Sequence, residues 1–99
     1  MRLSPADRAL IKKKIISQVG VGATVRLFGL RADDSLRGGD IDVFVELPNP
    51  VPSRLRLECA LAADLEREFD GRRVDVVVAA PNLPDQPIHA IARRSGIAL

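Results

Sequence analysis

The sequence predicts an α/β (α+β) fold, a small β-sheet of about three strands flanked by three helices, and three observations carry that expectation. Three short segments are rich in β-branched residues, three others repeat apolar residues at helical spacing, and a long amphipathic helix separates the last two strand segments. Strand, long helix, strand is the pattern of a right-handed parallel crossover. With 99 residues, the expectation is a single domain over 1–99. Hydrophobic residues make up 46% and charged residues 28%, so the chain has enough apolar surface to collapse around a core.

The first helix is expected over 5–19. Ser4 is suited to accept an amide hydrogen bond at the helix start, and Pro5 suits the first helical position. Ala6, Leu10, Ile11, Ile15 and Val19 form an apolar stripe, while Lys12, Lys13 and Lys14 read as a solvated face. Gly20 and Gly22 close the helix. A strand follows over 23–28, with Thr24, Arg26 and Phe28 on one face and Val25 and Leu27 on the other. Gly29 ends it, and the run through Asp33, Asp34, Ser35, Gly38 and Gly39 has the composition of a loop.

The second strand is expected over 40–47, because Pro48, Pro50 and Pro52 cannot donate in a central ladder. The longest helix spans 53–69. Leu57, Leu61, Leu65 and Phe69 make its apolar row, and Arg56, Glu58, Asp64, Glu66, Arg67 and Glu68 offer charge to solvent. Gly71 ends it. In the third strand, 73–79, Val74, Val76 and Val78 face one way, while Asp75 and Val77 face the other. A last short helix over 86–94 ends at Gly96.

Composition excludes several classes of function. The net charge of +2 is too small for bulk attraction to nucleic acid or membrane, so direct nucleic-acid binding is not expected. With no Trp, no Tyr and three Phe, the chain lacks the stacking platforms of single-strand binders. Cys59 is the single cysteine, which excludes an internal disulfide and fits a reducing cytoplasm. It reads as a structural thiol beside the apolar row of its helix. No stretch has the length and apolarity of a membrane span. His89 reads as a surface or partly buried residue with no nucleophile beside it.

The chemistry is concentrated in Gly39-Asp40-Ile41-Asp42-Val43. Asp is depleted in strands, yet the two-residue period sends the Asp40 and Asp42 carboxylates to one face. Paired carboxylates repel unless one protonates or a cation sits between them, and hard oxygen donors suit Mg²⁺, which keeps water and substrate phosphate as its other ligands. Asp75 joins the pair if its strand is adjacent. The competing reading has Asp40 capping the loop, with Asp42 and Asp75 on an exposed sheet face paired with Arg26 or Arg73. Gly29 favours the site: a glycine at a strand end lets backbone amides approach phosphate, and Arg31 and Arg37 lie in the same loop to neutralise it.

These residues resemble the minimal nucleotidyltransferases of the DNA polymerase β-like superfamily. That pattern appears as Phe28-Gly29-Leu30, nine loop residues from Arg31 to Gly39, Asp40-Ile41-Asp42 and, later, Val74-Asp75-Val76. The segment from Pro87 to Ile97 is similar to the family's closing helix and tail. The resemblance implies a nucleotidyltransferase fold with a mixed sheet, and transfer of AMP from ATP with two Mg²⁺ ions held by Asp40, Asp42 and Asp75. Asp75 would also help to activate the acceptor hydroxyl, and Gly29, Leu30 and Arg31 would meet the nucleotide. Many such short chains are antitoxins that add AMP to a tyrosine of a HEPN-type toxin. This chain has no Tyr, so a tyrosine target belongs to a partner.

The chain departs from the family pattern where Leu30 stands in place of Ser, and again at Gly39. Loss of one phosphate hydrogen bond costs on the order of 1–3 kcal/mol, enough to weaken nucleotide binding about tenfold or more. A second expectation is therefore a catalytically weak or inactive antitoxin that neutralises its toxin by binding. A third, transfer to a small molecule such as an aminoglycoside, needs a second subunit to build the acceptor site. Exposed apolar surface on the last helix would suit a toxin contact or a homo-oligomer.

Overall fold

The computed structural model describes residues 3–28 and 41–99. Among them are three helices and four strands, in the order α1 (Pro5–Val19), β1 (Thr24–Phe28), β2 (Ile41–Glu46), α2 (Arg54–Glu68), β3 (Val74–Ala79), α3 (Pro87–Ser95) and β4 (Ile97–Ala98). The strands form one mixed sheet in the order β3-β2-β1-β4. β1 is antiparallel to both β2 and β4, whereas β2 and β3 run parallel, as a crossover through α2 requires.

Local chemistry sets the helix ends. Ser4 Oγ accepts from the Asp7 amide at 3.0 Å and Asp7 Oδ2 accepts from the Ser4 amide at 3.0 Å, a reciprocal pair that satisfies two donors at the start of α1. Pro5 follows in the first turn. Ser53 caps α2 by accepting from the Arg56 amide at 3.3 Å. That helix ends where Asp70 turns left-handed at φ 56°, followed by Gly71 at φ 79°, whose amide donates to the Glu66 carbonyl at 2.8 Å.

Side-chain alternation divides the sheet into two faces. Val25, Leu27, Ile41, Val43, Val45, Val74, Val76 and Val78 form one, packed against Ile11 and Ile15 of α1 and Leu61 and Leu65 of α2. These four helical residues are at most 1% exposed, and each stabilises the fold by roughly 1.5–3 kcal/mol through burial. The other face is shorter in apolar residues. Phe28, Phe44 and Ala79 pack there against Ala92 and Ile88 of α3.

The expected three strands become four. β4 has only two residues, too few to show alternation, and forms because Gly96 turns the chain out of α3 and back along β1, pairing Leu27 with Ile97 and Arg26 with Ala98. A Cβ at Gly96 would overlap the Ala92 carbonyl oxygen and press on Arg26, so the turn requires glycine. The lysine run also differs from expectation. Lys12 and Lys13 are exposed, but Lys14 docks α1 on α2, with Nζ 2.8 Å from Glu68 and 3.6 Å from Asp64. The Glu68 hydrogen bond is the main cause of a raised Lys14 pKa.

Candidate active site

Asp42 and Asp75 are Cα partners in the parallel β2–β3 register. Neighbouring strands lie about 4.8 Å apart, so two carboxylates leaving the same face at one register position can reach one small cation. Both residues are of intermediate burial. They stand on the α3 face of the sheet, one same-face step before Phe44 and Val77, where α3 begins to cover it. On its other side Asp42 is paired with buried Phe28 of β1, which belongs to the same apolar cluster.

Asp40, Gly29, Leu30 and Arg31 lie outside the described residues, as do Ser35, Arg37 and Gly39. Among the described residues no group of three or more His, Cys, Asp or Glu is arranged to hold a metal ion. The two described carboxylates supply hard oxygen donors of the kind that suit Mg²⁺, which keeps water and phosphate among its ligands.

The arginines divide their partners unequally. Arg73 Nε lies 3.5 Å from Asp75 Oδ1, and this contact is solvated, with the two side chains 70% and 44% exposed. An exposed pair of this kind is worth at most about 1 kcal/mol and yields readily to a divalent cation. Arg26 instead bonds Glu46, at 2.6 Å. Glu46 also accepts from Arg93 Nε at 2.8 Å, and Arg93 reaches Asp85 at 2.8 Å. The chain Arg26–Glu46–Arg93–Asp85 ties α3 and its leading loop to the sheet. Arg93 holds the Asp85 carboxyl below its ordinary range, and Asp85 and Glu46 in turn raise the Arg93 pKa.

His89 departs from the sequence expectation. It is 0% exposed, its ring centroid 5.7 Å from that of Phe44, and its Nδ1 accepts from the Gln86 amide at 3.1 Å. Nδ1 also lies 3.4 Å from Asp85, and Nε2 is buried with no hydrogen-bond partner among the described residues. Its role is to close the first turn of α3. Cys59 also differs: it is exposed on α2 rather than tucked beside the apolar row. Glu58 and Glu66, expected in solvent, are partly buried and bond the backbone of β3.

Sequence reasoning missed Glu46, although the two-residue period that aligned Asp40 with Asp42 also places Phe44 and Glu46 on that face. A cleft of about 550 Å³ beside Val19, Pro48, Pro52 and Leu57 opens beyond the far end of β2, away from the aspartates. No described helix is long and apolar enough to cross a membrane.

The mixed sheet and its crossover helix build one α/β arrangement in which Asp42 and Asp75 stand in register. Residues 9–96 match the family described as Nucleotidyltransferase domain, and the chain belongs to that family. Family membership carries a transferase function that uses a nucleoside triphosphate and, in general, a divalent metal. Neither a curated protein nor a solved structure matches the chain.

Proposed function

We propose that this nucleotidyltransferase moves AMP from ATP to a hydroxyl of a protein partner, and that the partner is a HEPN-type toxin which the chain neutralises as its antitoxin. The observation that carries the site assignment is the register of Asp42 opposite Asp75 on one sheet face. Asp40, two residues before Asp42, adds a third carboxylate in sequence. The three would hold two Mg²⁺ ions, which when bound neutralise the triphosphate and stabilise charge on the attacking and leaving oxygens.

The chain's own residues then have separate tasks. Asp40 and Asp42 would hold the cation that receives the triphosphate, and Asp75 accepts the proton of the acceptor hydroxyl as the hydroxyl oxygen bonds the α-phosphorus and pyrophosphate departs. Gly29, Leu30 and Arg31 would meet the nucleotide. The absence of Tyr from the chain is consistent with a target on the partner. Leu30 favours a second reading, in which nucleotide transfer is weak and the antitoxin acts by occlusion.

Incubation of the chain, a HEPN-type partner and ATP labelled at the α-phosphate tests the two readings. Transfer predicts label on the partner, lost in Asp42→Asn, with no label from γ-labelled ATP. Unlabelled partner whose activity is suppressed equally by the wild type and Asp42→Asn supports occlusion. Absence of both label and suppression contradicts the antitoxin assignment.

A further inference from the structure

Among the described residues β3 is the outermost strand on its side of the sheet, so backbone donors that point away from β2 need acceptors from another element. Two glutamates of α2 supply them. Glu66 Oε2 accepts from the Val74 amide at 3.0 Å, and Glu58 Oε2 accepts from the Val78 amide at 2.9 Å, both in partly buried surroundings. The match is geometric: eight residues of helix advance about 12 Å and four residues of strand about 13 Å. One carboxylate therefore meets each end of β3. Ala62, midway between them on α2, is small and packs on the core, which lets helix and strand lie close.

These two bonds are not equivalent with respect to the acidic pair. Val74 directly precedes Asp75, whereas Val78 lies three residues beyond it, and Glu58 has a further partner in Arg54, whose Nε is 3.8 Å away. We propose that Glu66 is a positioning residue for the acidic pair: by holding the Val74 amide it fixes β3 where Asp75 faces Asp42. Movement of the 73–74 peptide would swing Asp75 out of register with its partner. Glu58 anchors the distal end of the strand and leaves the carboxylate spacing unchanged. The proposal rests on the reading of Asp42 and Asp75 as cation ligands.

The test is a titration of the full chain with Mn²⁺ alone, following paramagnetic broadening of the Asp42 and Asp75 amide resonances. Wild type and Glu66→Gln, whose amide oxygen still accepts from Val74, are expected to broaden at the same Mn²⁺ concentration. Glu66→Ala needs about tenfold more, the usual penalty for removing a residue that orients a metal ligand. Glu58→Ala stays close to wild type. If Glu66→Ala fails to fold by circular dichroism, Glu66→Met keeps the stem, lacks the acceptor and takes its place. Equal affinities in wild type and Glu66→Ala (or Glu66→Met in its place), or equal losses in that variant and Glu58→Ala, overturn the positioning role. Wild type without broadening at either aspartate instead overturns the cation reading, and the positioning role with it.

Discussion

The Arg93 guanidinium lies over the Phe44 ring, 5.6 Å from its centroid, and so joins the last helix to the middle strand through a cation–π contact as well as through Glu46. The same guanidinium holds Asp85 at the mouth of α3. One side chain thus seats the helix on the face that carries Asp42 and Asp75.

Arg93→Ala is expected to cost about 1–2 kcal/mol, from the cation–π contact and two partly solvated ion pairs together. Arg93→Lys should fall between that variant and wild type, because an ammonium keeps the charge but loses the planar fork that spans Glu46 and Asp85. Urea midpoints at constant slope measure the differences. An Arg93→Ala protein as stable as wild type would show that the apolar packing of Ile88 and Ala92 on Phe28, Phe44 and Ala79 seats the helix without Arg93.

The Asp85 pair makes a prediction about acid. Its folded pKa lies below the ordinary 3.8, chiefly through the Arg93 hydrogen bond. The contribution is therefore present above that ordinary value and lost as pH falls through the lower folded one. The stability gap between wild type and Asp85→Asn should be constant near neutrality and close below about pH 3.8. Thermal melts of both proteins across that range measure it, and a gap that widens in acid contradicts the assignment.

Asp70 adopts a left-handed backbone that favours glycine. Asp70→Gly should stabilise the chain by up to about 1 kcal/mol, through relief of the Cβ penalty less the entropy of a freer unfolded chain. Gly71→Ala, at φ 79°, should act in the opposite direction by a similar amount. Chemical denaturation of the two variants checks the pair of signs.

The elements visible in the sequence were those set by local chemistry. Ser4 and Pro5 started α1, the proline cluster stopped β2, and the Leu57–Leu61–Leu65 spacing made α2 buried on one side. Asp42 and Asp75 were also legible, because period-two alternation and a parallel crossover suffice to place them on a common face. β4 was not, since two exposed residues become a strand only when Gly96 returns them to β1. Glu58 and Glu66 looked like solvent charge because helical periodicity names a face without saying that a sheet edge runs beside it. His89 looked half-exposed for a similar reason: its burial depends on Phe44, forty-five positions earlier in the chain.

The most direct test of a nucleotide site at the acidic pair is a calorimetric titration of the chain with ATP in Mg²⁺, beside the Asp40→Asn/Asp42→Asn double variant. The account predicts saturable heat in the wild type and none in a folded double variant. Equal binding by both proteins, or none by the wild type, would contradict it.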